Sequence, residues 1–201
     1  MTNETEHGRF IVIEGADGVG SSTQCSMLVD ALKAEGRIAM LTGEPSSGEI
    51  GRLARAMLRS GGETNPATLA LLFAADRLEH YNDIIRPALQ AGIDVVSDRY
   101  LLSSYVYQSL DVPLDLVKSF NAVAVPADIT ILISLPFDVA WERIQRRIKS
   151  GAALEEIFDK LESQKRIHAN YSDMLDMVGG VAIDGSGTPE EVAQRVRAAV
   201  G

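Results

Sequence analysis

At 201 residues, 46% of them hydrophobic and 23% charged, the chain carries enough apolar material for one domain with a substantial core. Its formal net charge of -9 argues against a general nucleic-acid binder, which shows a basic excess, although an acidic protein still binds phosphate where amides and a few guanidiniums gather. The lone Cys25 excludes an intrachain disulfide, the polar start "MTNETEHGR" has no apolar signal-peptide core, and no run is long enough to span a membrane. A cytoplasmic domain is expected.

Arg9-Phe10-Ile11-Val12-Ile13-Glu14 is a short, largely β-branched run that ends at glycine, as a buried strand does. The glycine-rich stretch "GADGVGSST" follows, then Met27, Leu28, Ala31 and Leu32 at helical spacing, with a stop at Glu35-Gly36. Ile38 to Leu41 reads as a second strand running into Thr42-Gly43-Glu44-Pro45. A helix through Ile50, Leu53, Ala54, Met57 and Leu58 is expected to stop at Gly61-Gly62. The longest helical segment runs from Pro66 to Gln90, with Gly92 closing it and Pro87 marking a kink or late break. Ile93 to Ser97 is a third strand, entering Asp98-Arg99-Tyr100, and helical text continues to about Val123. Ile129 to Ile133 is a fourth strand. Two helices flank Lys149-Ser150-Gly151, then come a short strand, Val181 to Ile183, and a last helix capped by Thr188 with Pro189 in its first turn.

Strands separated by helices throughout imply a parallel sheet covered on both faces, with ligands bound at the strands' carboxyl ends. "GADGVGSST", "TGEPSS", "SDRY" and "IDGSG" all follow strands at those ends.

"GADGVGSST" keeps the spacing of the phosphate-binding pattern G-x-x-x-x-G-K-[ST], but Ser21 stands at the lysine position. Glycines 15, 18 and 20 let backbone N–H groups face an anion at a helix start, where the helix dipole adds positive charge. The bland alternative is an ordinary tight turn. Ser22 occupies the position whose hydroxyl meets Mg²⁺, and Thr23 can donate to another phosphate. The missing ammonium matters more for turnover than for binding, because the amides remain. Asp98-Arg99 offers a carboxylate for Mg²⁺ waters and a fork for phosphate, or else a structural ion pair at a strand end. Phe73 and Arg77, four apart, share a helix face that suits a planar base, or are a core phenylalanine beside a surface arginine.

Taken together and in order, these motifs resemble the thymidylate kinase family from Phe10 to about Val196. "FIVIEGADGVGSSTQ" resembles its opening strand and P-loop, "TGEPSSGEIGRLAR" its E-P loop, "LLFAADRLEHYNDIIRPAL" the helix that holds the base, and "SDRYLLSSYVYQ" its D-R-[YF]-x-x-S-x-x-A-Y-Q element, with Val106 at the alanine position. The resemblance implies a three-layer α/β P-loop NTPase fold. Residues 1–201 would form a single domain with a five-stranded parallel sheet, helices on both faces and a small lid at about 146–157. It implies transfer of a phosphoryl group from Mg²⁺-ATP to dTMP by a homodimer. ATP would lie on Gly15, Ala16, Asp17, Gly18, Val19, Gly20, Ser21, Ser22 and Thr23, with Arg143 and Arg147 closing over it. Phe73 would stack on thymine and Arg77 hydrogen-bond it, with Ser103 and Ser104 at the base edge and Tyr107 and Gln108 near the deoxyribose and base. Arg99 would hold the acceptor phosphate, Asp17 and Glu44 would lie near the sugar and phosphate, and Ser22 and Asp98 would organise Mg²⁺. Asp17, Asp98, Arg99 and Arg147 would form the catalytic set.

The departures from the family pattern are specific. Ser21 replaces the P-loop lysine, and Gly43 replaces the arginine before Glu-Pro, leaving Arg52 as a candidate phosphate contact. The lid reads "RRIKSGAALEEIFDKLE", with cations early, at Arg143, Arg146, Arg147 and Lys149; they either supply the charge Ser21 lacks or form a solvated helix face. Phe158-Asp159 resembles the family's Phe-Glu after the lid. Two other functions fit: a weak or inactive nucleotide-binding homologue, or a kinase for another nucleoside monophosphate or a deoxynucleoside.

Overall fold

A computed structural model describes residues 7–59, 64–150, 158 and 160–201. The strands are β1 (Phe10–Glu14), β2 (Ala39–Gly43), β3 (Asp94–Asp98), β4 (Ile129–Ser134) and β5 (Val181–Asp184). They form one parallel sheet in the order β2-β3-β1-β4-β5. Strand β1 is central and buried along its whole length. Its alternate side chains enter different cores: Ile11 and Ile13 join Cys25, Leu28, Leu32 and Val196, whereas Phe10 and Val12 join Ile85, Leu89 and Tyr100. A period of two with both faces buried is what makes the expected three layers.

The helices are α1 (Ser21–Ala34), α2 (Glu49–Leu58), α3 (Pro66–His80), α4 (Arg86–Gln90), α5 (Leu101–Gln108), α6 (Leu114–Phe120), α7 (Phe137–Lys149), α8 (Leu161–Met174) and α9 (Pro189–Val200). The expected helix from Pro66 to Gln90 is continuous but widens to a π turn over Tyr81–Ile85, where the Arg86 N–H donates to the Tyr81 carbonyl. Pro87 has no N–H, and its ring crowds the carbonyl four residues back. The strain is therefore absorbed just upstream of the proline. The expected helical run to Val123 instead divides into α5 and α6. Pro113 explains the break, because it disfavours helical geometry at Val112 and then caps α6. Thr188 and Glu191 form the reciprocal capping box that starts α9. The expected stop at Gly61-Gly62, and Gly151 after α7, lie outside the described residues.

Register sets the site. Asp98 pairs with Ile13 of β1 and with Gly43 of β2, so the carboxyl ends of three strands meet at one edge. At the opposite edge Asp94, fully buried, receives the Arg9 backbone N–H at 2.8 Å and a two-pronged contact from Arg37. Burial alone would raise the Asp94 pKa; the Arg37 and Arg9 contacts outweigh it and hold the carboxyl below its ordinary value. A depressed folded pKa stabilises above the unfolded value, and that stability is lost as pH falls through the folded one. Asp94→Asn is expected to cost about 2 kcal/mol in urea unfolding at pH 7. The gap to wild type should narrow as pH falls through the depressed pKa of Asp94, where wild type loses the charge as well.

Candidate active site

Strand β1 delivers Gly15 to Gly20 to the start of α1. Gly18 and Gly20 sit at φ 83° and 98°, in the left-handed region that a side chain disfavours. Gly18 also meets α7 so closely that a Cβ would lie 2.4 Å from the Ala140 carbonyl oxygen. Gly20 precedes α1 and supplies no side-chain cap, and the first turn holds no acidic side chain, so the helix start is open to an anion. A cleft of about 390 Å³ opens on the loop and is lined by Ala16, Asp17, Gly18, Gly20, Ser21, Ser22 and Thr23, with Arg99, Arg143 and Arg147 around them. Val19 is buried in the core behind the loop. Arg143 reaches the Gly18 and Val19 carbonyls at 3.3 and 3.5 Å.

Arg99 follows β3 at φ 72° and is the only non-glycine at positive φ among the described residues. Its guanidinium donates to Asp17 at 2.8 Å, to Tyr107 at 3.0 Å and to Tyr171 at 2.9 Å, and more weakly to Ser103 at 3.4 Å. Burial pushes the Asp17 pKa upward, but the Arg99 charge and hydrogen bonds from Gln164 and Tyr107 outweigh it, leaving the carboxyl below its ordinary value. Glu14, at the end of β1, shows the opposite balance. It accepts from the Tyr100 N–H at 2.9 Å and the Ser103 hydroxyl at 2.6 Å, yet complete burial wins and raises its pKa.

A second cleft of about 320 Å³ is lined by Glu44, Phe73, Arg77, Ser103, Ser104, Tyr107 and Gln108, and it shares Asp17, Arg99 and Arg147 with the first. Asp98 lines it too, with Oδ2 accepting from the Ser22 hydroxyl at 2.5 Å. Several buried polar atoms here have no hydrogen-bond partner: Arg77 Nε, Asp98 Oδ1, Tyr100 Oη, Ser104 Oγ and Gln108 Oε1. Leaving such atoms unpaired is costly, so a wall that collects them is built for a polar ligand.

Helix α3 grips the loop after β2 through consecutive faces. Asp76 accepts the Ser46 backbone N–H at 2.7 Å and its hydroxyl. Arg77, 2% exposed, donates to Glu44 at 2.7 Å, to the Tyr100 carbonyl at 2.9 Å and to Asn121. The surface-arginine alternative for Arg77 is therefore excluded.

The Arg52 guanidinium turns back onto the Ser47 carbonyl at 2.6 Å, and Arg52 is not among the residues that line the cleft. Arg55, one turn on, does line it together with Leu58, while also donating to the Pro45 carbonyl. Arg146 pairs with Glu142 in an exposed i,i+4 contact, away from both clefts. Of the lid expected at about 146–157, residues 151–157 lie outside the described residues, as does Asp159, while Phe158 packs edge-on against Tyr107 with ring centroids 5.4 Å apart. Sequence reasoning missed Glu14, Arg55, Asn121, Gln164 and Tyr171. Of these only Arg55 had a local signal, its helical spacing from Leu58.

Two clefts sharing a wall of guanidiniums, one on a phosphate loop and one with a ring and unpaired polar atoms, suit transfer of a phosphoryl group between two bound nucleotides. Fold and site together define a P-loop nucleoside monophosphate kinase. The family model for thymidylate kinase matches residues 13–196. Curated relatives include the probable thymidylate kinase of Thermococcus gammatolerans, 37% identical over 88% of this chain and 87% of the relative. Those of Methanococcus vannielii and Pyrobaculum aerophilum are each 39% identical, covering 92% and 93% of this chain and 91% and 93% of their own. The chain belongs to the thymidylate kinase family.

Arg55→Ala is expected to weaken nucleoside monophosphate binding by about tenfold or more, as loss of a charged hydrogen bond does, whereas Arg52→Ala should change it less than about twofold. Titration calorimetry on the two variants checks this.

Proposed function

We propose that this chain transfers the γ-phosphoryl group of ATP to dTMP, giving dTDP and ADP. The observation that carries the reading is the wall common to both clefts, Asp17, Arg99 and Arg147, with a phosphate loop on one side and Phe73, Arg77, Ser104 and Gln108 on the other. The relatives' names supply the acceptor.

In this reading Phe73 stacks on thymine, while Arg77, Ser104 and Gln108 meet its edge and Ser103 and Tyr107 lie beside it. Glu44 holds Arg77. Arg99, held by Asp17, Tyr107 and Tyr171, clamps the acceptor phosphate. The attacking oxygen belongs to a phosphate already ionised near neutral pH, so no general base is required; catalysis is alignment and charge neutralisation. Loop residues 15–23 take the donor phosphates, and Arg143 and Arg147 supply positive charge that Ser21 does not.

Ser22 and Asp98 would hold Mg²⁺. The donor set fits that ion: a hydroxyl oxygen and a carboxylate whose buried Oδ1 has no partner are hard ligands. No group of three or more His, Cys, Asp or Glu that could hold a metal occurs among the described residues. A cation that retains waters and takes phosphate oxygens suits such a sparse set. When bound, the ion supplies neutralisation of phosphate charge.

The chain would act as one catalytic domain in the cytoplasm; no described helix is long and apolar enough to cross a membrane. A homodimer is supported by exposed Leu71 and Leu78 on one face of α3 and Leu116 on α6, and light scattering tests it.

Purified protein with Mg²⁺-ATP and dTMP, dUMP, CMP or thymidine tests the reaction. No dTDP above background at high enzyme would sink it and favour a binding homologue, the reading that Ser21 supports. Arg147→Ala is expected to slow turnover by about 100-fold, the scale of losing one oriented cationic or hydrogen-bond donor, while dTMP affinity changes little. Equal losses in both would mean that Arg147 does not replace the lysine.

A further inference from the structure

His80 does not line either cleft, yet it is buried and touches the group that holds Arg77. One turn of α3 separates Arg77 from His80, so both side chains face the end of β2, and the Glu44 carboxylate is clamped between them. Glu44 Oε2 takes the Arg77 Nη2 hydrogen at 2.7 Å, and Oε1 takes the His80 Nδ1 hydrogen at 3.3 Å. The proton must be on Nδ1, since an ionised carboxylate has none to give. On the other edge of the ring, Nε2 lies 2.6 Å from the Thr42 hydroxyl, which donates to it when the imidazole is neutral. The side chains of Arg77, Glu44 and His80 are 2%, 3% and 1% exposed.

At that depth a carboxylate with a free oxygen would be costly, and it would turn to recover a partner. Such a turn would move the acceptor that fixes Arg77. The other Arg77 contacts, from Nη1 to Asn121 and from Nη2 to the Tyr100 carbonyl, hold the fork on its remaining sides, and Glu44 completes the set. His80 is the contact on the Glu44 oxygen that Arg77 does not take.

We propose that His80 is a positioning residue for base recognition: it locks the Glu44 carboxylate, with Thr42 locking the ring in turn, so that Arg77 is presented to the acceptor cleft ready-oriented. The proposal rests on the reading of that cleft as the dTMP site. It makes acceptor selectivity depend on a side chain one shell behind the ligand.

Titration calorimetry with dTMP, and with ADP as a control, on wild type, His80→Ala, His80→Gln, Glu44→Gln and the double variant His80→Ala/Glu44→Gln tests it without requiring turnover. His80→Ala is expected to weaken dTMP about tenfold, the scale of one hydrogen bond to a charged group, and to leave ADP within about twofold. His80→Gln, whose amide can donate to Glu44 and accept from Thr42, should recover most of the loss. The double variant should bind no worse than Glu44→Gln, because the two changes break one arrangement. Unchanged dTMP affinity in a folded His80→Ala, parallel losses for dTMP and ADP, no recovery in His80→Gln, or additive losses in the double variant would each overturn the proposal. Wild type that binds dTMP without forming dTDP would sink the proposed reaction and leave the His80 comparison standing. Wild type that binds no dTMP would overturn both, before any variant is read.

Discussion

The Arg99–Asp17 ion pair is the contact on which the site's geometry depends. It joins the loop after β3 to the loop after β1, and through Tyr107 and Tyr171 it draws in α5 and α8. The backbone at Arg99 is left-handed, which costs a side-chain-bearing residue about 1–2 kcal/mol. Charge-assisted hydrogen bonds contribute about 1.5–3 kcal/mol each, so the pair and its tyrosines outweigh that strain. The strain turns the guanidinium back toward the boundary between the two clefts, where it serves both.

Burial works for and against this centre. Around Asp17 a guanidinium overcomes desolvation, and the carboxyl titrates low; at Glu14 desolvation wins despite hydrogen bonds from Ser103 and Tyr100. The difference is the partner: a full positive charge in direct contact offsets far more of the burial cost than neutral donors do. Arg77 and Glu44 form a second ion pair, more deeply buried, whose geometry is fixed by flanking groups. Such pairs add little net stability but hold direction, and direction is what a recognition site needs.

Without a lysine in the P-loop, positive charge at the phosphate loop comes from guanidiniums on two other elements, Arg99 after β3 and Arg143 with Arg147 on α7. Arg99 is held by four side chains, whereas the α7 pair is exposed. The guanidiniums around the phosphate loop are therefore differently constrained.

Much of the fold was legible in the residues. The unbroken, largely β-branched run Phe10–Ile13, glycine stops and proline starts put strands and helices in the right order, because those signals act over a few neighbours. Pro87 was visible as a breaker, whereas Pro113 lay inside a run that reads as helical to Val123; whether a proline bends, widens or splits a helix depends on what packs against it. The phosphate loop, Phe73, Arg77 and Asp98-Arg99 were readable because each motif is contiguous or at helical spacing. Arg52 and Arg55 lie one turn apart on α2, and which of them lines the cleft follows from the backbone carbonyl each guanidinium meets, Ser47 or Pro45, which the sequence does not specify. Glu14, Asn121, Gln164 and Tyr171 act through partners between 44 and 157 residues away along the chain. The sequence by itself therefore determined a parallel α/β phosphate-binding domain and its family. Only the tertiary structure decided which carboxylate meets which cation, because a buried charge takes its partner from whatever the fold brings within hydrogen-bond reach.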